Sequence, residues 1–147
     1  MKRDVRILIA EDDDGHYSLV EKNLRRAGIC NPISRFADGS QALEFFFSDD
    51  PSAAKNAETA YLLLLDIRMP RVDGVEVLKR LREDESWNKM PIIMLTTTDD
   101  PREISRCSEL GCSVYIVKPV EYEAFVEAVR KVGLFLSVVE VPQLNEA

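Results

Sequence analysis

Residues 62–74 read LLLLDIRMPRVDG. Four consecutive leucines are apolar enough to be buried on both faces, yet the run stops at a carboxylate, Asp66. A short, continuous apolar run is the mark of a core strand in a parallel sheet. An acid just past its last residue would sit at the strand's carboxyl end, where open α/β sheets bind their ligands. On the left lies a polar, proline-containing segment, residues 49–60, read as a loop. On the right, residues 75–84 place Val77, Leu78 and Leu81 on one helical side.

The same alternation runs through the chain. Residues 5–10, VRILIA, read as a strand. A helix follows with Tyr17, Val20, Leu24 and Ala27 at spacings of three and four, stopped by Gly28. Residues 32–36 are a weaker strand, and Asp38 suits the cap of a helix with Ala42, Leu43 and Phe46 inward. Residues 91–96 form another buried strand. Pro101 opens a helix capped by Asp99 or Asp100, carrying Ile104, Cys107 and Leu110 inward and ending at Gly111. Residues 113–117 are the fifth strand. A last helix from Glu121 to about Val139 turns Phe125, Val129, Val132 and Leu136 inward. The order is βα five times, so the pattern predicts one domain over residues 1–147 with a parallel sheet covered on both faces.

Bulk properties narrow the function. The chain has 147 residues, 46% hydrophobic and 31% charged, the balance of a globular domain. Net charge is −7. With no long basic stripe to offset it, nucleic-acid binding through phosphates is not expected. The pairs Arg25-Arg26 and Lys79-Arg80 read as solvated helix faces. No apolar run is long enough to span a bilayer. The N-terminus lacks the apolar segment of a signal peptide, so the expected location is cytoplasmic. Cys30, Cys107 and Cys112 form no disulfide framework and, with one histidine, no zinc set; buried free thiols are the expectation.

The acids carry the chemistry. Strand one ends in Glu11-Asp12, followed by Asp13 and Asp14, and strand three ends in Asp66. With strands one and three adjacent in a doubly wound sheet, Glu11, Asp12 and Asp66 share one crevice. Clustered carboxylates repel unless a proton or cation intervenes. A hard divalent ion, Mg2+ by preference, suits an all-oxygen set. Strand four ends in Thr96 and strand five in Lys118-Pro119, adding a hydroxyl and an ammonium at the same rim. Acids, a metal, a hydroxyl and a lysine match a phosphoryl group, with Asp66 placed to be its nucleophile.

Four motifs in this order resemble the receiver domain of two-component response regulators: ED at 11–12, LLLLDIRMPRVDG at 62–74, PIIMLTTT at 91–98 and YIVKP at 115–119. The resemblance covers about residues 4–133, leaving 134–147 as an extension of helix five and a tail. It implies a flavodoxin-like (βα)5 sandwich with sheet order 2-1-3-4-5. More narrowly, the EDDDGH start, the long loop after helix two, LTTT and the apolar extension resemble single-domain regulators paired with bacterial phytochrome kinases.

The resemblance also implies roles. Asp66 would be the phosphoacceptor. Asp12, Asp66 and the Arg68 carbonyl would ligate Mg2+, with Glu11 acting through water. Thr96 would hydrogen-bond the phosphoryl group and Lys118 would pair with it, while the backbone N–H groups of Arg68 and Thr97 complete the cradle. Tyr115 would be the switch aromatic, exposed while Thr96 is free. The Lys118–Pro119 bond would be cis, Gly74 would serve the turn after Pro70, and Asp73 reads as a turn residue. Thr97 is bulkier than the small residue many receivers carry there. Arg68 and Thr98 would flank the path of an attacking water. The lone His16 reads as an exposed helix residue.

The implied function is a signalling phosphoacceptor with only self-directed phosphotransfer and slow autodephosphorylation. Its partner would be a sensor histidine kinase, a phytochrome among the candidates, or a phosphotransfer protein. The apolar surplus at Val132, Leu134, Phe135, Val138 and Val139 favours a homodimer through helix five and the tail over an extension folded on its own domain. Two alternatives stay open. An aspartyl-phosphate phosphohydrolase of the haloacid-dehalogenase type would need a second acid two residues after the nucleophile, where this chain has Arg68. A phosphorylation-independent adaptor would not need the set Glu11, Asp12, Asp66, Thr96 and Lys118. A nucleotide-binding module would need a Gly-rich loop after strand one, which the sequence lacks.

Overall fold

The computed structural model describes residues 5–48, 60–119 and 121–138. Of the predicted loop at 49–60, residues 49–59 lie outside the described residues, as does the tail from Val139, while Ala60 belongs to a strand instead. Five strands, β1 (Val5–Ala10), β2 (Ile33–Phe36), β3 (Ala60–Leu65), β4 (Ile92–Thr96) and β5 (Val114–Val117), form one parallel sheet in the order β2-β1-β3-β4-β5. Five helices alternate with them: α1 (Asp14–Arg26), α2 (Gly39–Phe46), α3 (Gly74–Arg82), α4 (Pro101–Leu110) and α5 (Tyr122–Val138). The fold is the doubly wound, flavodoxin-like (βα)5 sandwich that the resemblance implies, built on the parallel sheet the pattern predicts.

The three central strands are buried on both faces because alternate residues feed two cores. Leu8, Leu63, Leu65, Ile92 and Met94 pack with Phe46, Leu78, Leu81 and Cys107 from α2, α3 and α4. Ile7, Ile9, Leu62, Leu64 and Leu95 pack with Val20 and Leu24 of α1 and Phe125, Val129, Val132 and Leu136 of α5. The sheet's outer edge differs from the expected full cover. Val114 and Val117 of β5 are 39% and 37% exposed, since this strand has a neighbour on one side only. The thiols also differ from expectation: Cys107 is buried, Cys112 is half-buried and Cys30 is exposed.

Carboxylates open α1, α2, α3 and α4. Asp13, Asp38, Asp73 and Asp100 accept the backbone N–H of His16, Gln41, Glu76 and Arg102 respectively. Asp73 is therefore the cap of α3 rather than only a turn residue. Gly111 closes α4 at φ 99°, the left-handed position glycine tolerates.

The loop after β3 corrects one expectation. The positive φ in that turn belongs to Arg71, at 69°. Gly74 is required for another reason: a Cβ on it would lie 2.0 Å from the Asp66 carbonyl oxygen. The start of α3 is thus pressed against the end of β3. A second correction concerns Lys118–Pro119, which is trans. An X–Pro bond favours trans by about 0.5–1 kcal/mol unless packing selects cis. Here the Lys118 N–H already reaches the Thr96 carbonyl at 2.7 Å.

Helix α5 lies against α1. Gly133 permits this approach, since a Cβ there would come within 2.6 Å of the Ala27 Cβ. Of the apolar surplus, Val132 is covered by its own domain while Leu134 is 46% exposed. The side chains of Phe135 and Val138, and all of Val139, lie outside the described residues. No helix among the described residues is long and apolar enough to cross a membrane.

Candidate functional site

Register brings the acids together. Ala10 pairs with Leu65, so Glu11 and Asp66 are the next residues of adjacent parallel strands. The Asp66 N–H donates to the Ala10 carbonyl at 3.1 Å, and the Glu11 N–H donates to the Phe36 carbonyl at 3.0 Å. One carboxylate oxygen each from Glu11, Asp12 and Asp66 lies within 4.8 Å of the others. Glu11 and Asp66 are buried and Asp12 is exposed, so the cluster opens at Asp12.

Lys118 enters from the end of β5. Its ammonium donates to Glu11 Oε1 and lies 3.3 Å from Asp66 Oδ2. The remaining acidic lone pairs are unevenly served. Glu11 Oε2 accepts the Asp13 N–H at 3.3 Å, whereas Asp66 Oδ1 is buried and has no hydrogen-bond partner among the described residues. Burial outweighs the lysine and raises Glu11 from 4.5 to about 7.

His16 keeps a side chain 40% exposed, in partial agreement with the solvated helix position expected from sequence, yet its ring also reaches the site. Its Nδ1 lies 3.2 Å from Lys118 Nζ, where the Nε2–H tautomer accepts from the ammonium. Its ring meets Phe125 edge-on at 5.3 Å. The side chains of Glu11, Asp66 and His16 thus all face the Lys118 ammonium. The i, i+4 periodicity of α1 could not reveal this, because it arises where α1 and α5 meet.

The loop after β4 forms the opposite wall. Thr96 is fully buried, and its hydroxyl accepts the Thr98 N–H at 3.4 Å. Thr97 is exposed. Arg68 is exposed and donates through Nε to Thr98 Oγ1 at 3.1 Å. Tyr115 departs from the exposed position expected of it. It is half-buried and its hydroxyl donates to the Thr98 carbonyl at 2.7 Å. Desolvation, with smaller contributions led by Cys107, pushes that phenol up to about 12. Thr98 therefore links Arg68, Thr96 and Tyr115.

Arg35 escaped sequence reasoning. It sits on the weak strand β2, yet it binds the Glu11 carbonyl and Asp14. The available signal was an arginine one residue before the end of β2, paired with Ile9 of the apolar strand β1.

The donor set fits a hard divalent cation. It is all oxygen, three carboxylates converge, and one buried oxygen of Asp66 lacks a hydrogen-bond partner among the described residues.

The chain matches the response regulator receiver domain over residues 7–130 and belongs to that family. It is a receiver of the two-component class. It is similar to a response regulator receiver domain from Rhodospirillum rubrum, with 48% identity, a TM-score of 0.90, and 96% of this chain and 99% of that one covered. It is also similar to the bacteriophytochrome response regulator RtBRR, with 33% identity, a TM-score of 0.69 and coverages of 96% and 82%. A third likeness is to the phosphorylated cyanobacterial phytochrome response regulator RcpA, with 25% identity, a TM-score of 0.83 and coverages of 93% and 97%. The chain spans about half the length of several curated relatives that it matches at 30–34% identity, among them a response regulator, MprA, and three transcriptional regulators.

Proposed function

We propose that this receiver is a phosphorylation-controlled switch whose phosphoacceptor is Asp66. The observation that carries the reading is the asymmetry of that carboxylate: Oδ2 is ion-paired to Lys118 and Oδ1 is buried without a partner. A phosphohistidine on a histidine kinase or phosphotransfer protein supplies the phosphoryl group. An Asp66 oxygen attacks phosphorus and the P–N bond breaks. The electron pair leaves with the imidazole, which takes up a proton, and an acyl phosphate remains. Mg2+, held by Asp12, Asp66 and the Arg68 carbonyl with Glu11 through water, would neutralise charge on the phosphoryl oxygens.

Lys118 pairs with the new phosphoryl oxygens and Thr96 donates its hydroxyl to them, with the Arg68 and Thr97 N–H groups completing the cradle. Since Thr98 joins Thr96 to Tyr115, movement of Thr96 is passed to the ring. The α4–β5–α5 surface changes with it. Phosphorylation shifts this equilibrium only by its differential affinity for the two arrangements. Hydrolysis of the acyl phosphate by water returns the protein to its starting state, the only turnover it performs.

The likeness to phytochrome response regulators supports a phytochrome-type histidine kinase as donor. The exposed Leu134 on α5 supports a homodimer through α5 and the tail. A cytoplasmic site of action follows from a kinase partner.

Incubation with acetyl phosphate and Mg2+, followed by intact-mass analysis, tests the reading. One added phosphoryl group is expected, and none with Asp66→Asn or with chelator. Equal labelling of Asp66→Asn would remove Asp66 from its role.

A further inference from the structure

Glu11, Asp12, Asp13 and Asp14 are consecutive acids, and their mutual repulsion favours any rotation of the backbone that spreads them. Something must hold the main chain. Arg35 reaches across from β2 and donates to the single carbonyl oxygen of Glu11 twice, through Nε at 3.1 Å and Nη2 at 2.9 Å. Its Nη1 donates to Asp14 Oδ1 at 2.7 Å. The guanidinium lies 4.8 Å over the Tyr17 ring, and the Tyr17 hydroxyl is tied to Glu21 at 2.7 Å. The Arg35 side chain is only 23% exposed, whereas Asp14 is 92% exposed.

The two cations of this region divide the work. Lys118 binds the carboxylates of Glu11 and Asp66 directly. Arg35 takes the Glu11 main chain and Asp14, neither of which belongs to the carboxylate cluster. It therefore adds positive charge and fixes the peptide between Glu11 and Asp12 without occupying a ligand oxygen. A planar fork can grip one carbonyl with two donors while a third reaches sideways, which an ammonium on a flexible stem cannot do.

We propose that Arg35 is a positioning residue of the divalent-cation site: by clamping the Glu11 carbonyl to the end of β2 it aims the Asp12 carboxylate at those of Glu11 and Asp66. The inference rests on the Mg2+ reading above.

Calorimetric titration of the folded protein with Mg2+ tests it. Arg35→Met should weaken the Mg2+ Kd about tenfold, the size of effect seen when outer-shell support of metal ligands is lost. Arg35→Lys keeps the charge and loses the fork, and it should bind Mg2+ as weakly as Arg35→Met. Arg25→Met is the control. Arg25 staples α1 to Ile29 and Asn31 through their carbonyls at 3.1 and 2.6 Å, away from the acids. That variant should lose stability but keep its Mg2+ affinity. Wild-type affinity in Arg35→Met would overturn the proposal. Restoration by Arg35→Lys would overturn the proposal, because the two-pronged grip on the Glu11 carbonyl would then not be needed. An equal loss in Arg25→Met would reduce the effect to general destabilisation. If Arg35→Met does not fold, Arg35→Lys carries the comparison. Absence of Mg2+ binding in the wild type would instead sink the cation reading on which the proposal stands.

Discussion

Asp66 Oδ2 stands 3.3 Å from Lys118 Nζ, while the other oxygen of the same carboxylate is buried and unpartnered. An unsatisfied buried oxygen normally costs about 1–3 kcal/mol. Placed beside two other acids, it is the atom a cation or a phosphoryl group would satisfy.

Glu11 makes stability depend on pH. Its value is about 7 in the folded state against 4.5 ordinarily, chiefly through burial. The folded protein thus holds this proton more tightly than the unfolded chain. The contribution is complete below pH 4.5, declines as pH rises to about 7 and is level above that. Urea unfolding across this range should show wild type losing stability relative to Glu11→Gln. Mg2+ should restore part of the loss, because it favours the ionised acid. Parallel profiles for the two proteins would contradict the assignment.

Gly74→Ala should damage both fold and site. The added methyl meets the Asp66 carbonyl oxygen at 2.0 Å, so either α3 or the end of β3 must move. Overpacking of this kind costs about 1–3 kcal/mol. The predicted result is a lower urea midpoint together with slower labelling by acetyl phosphate. A stable variant labelled at the wild-type rate would show that the two segments separate freely.

Arg68 donates to Thr98 Oγ1, and the proposed role of its side chain is to shield the acceptor from water. Arg68→Asn should shorten the lifetime of the acyl phosphate by admitting water. Phosphate release from labelled protein measures it directly, and an unaltered rate removes Arg68 from this role.

The strand and helix pattern was legible because local composition and core position agree. Residues 62–65 are leucines, and all are buried. The convergence of Glu11, Asp12, Asp66 and Lys118 was legible because parallel strands deliver their carboxyl ends to one rim. What depends on neighbours distant in sequence was not. His16 takes its place from Lys118 and Phe125, more than a hundred residues away. Arg35 takes its place from a loop on the adjacent strand. Gly74 read as a turn glycine because sequence shows a glycine but not the carbonyl beside it. The exposure of β5 follows from its place at the sheet edge rather than from its own residues.

Leu134 provides the test of self-association. It is 46% exposed on a helix whose inward face, Phe125, Val129, Val132 and Leu136, is already buried. Leu134→Glu should therefore leave urea stability nearly unchanged and reduce dimer formation in sedimentation equilibrium. A wild-type monomer at high concentration, labelled or unlabelled, would contradict a dimer through α5.

Identification of the modified residue bears most directly on the central claim. Protein labelled by acetyl phosphate in the presence of Mg2+ is reduced with borohydride, which converts an aspartyl phosphate to homoserine, and is then sequenced by mass spectrometry. Homoserine at position 66 and at no other acid is predicted. Homoserine at Asp12 or at another acid, with Asp66 intact, would contradict it.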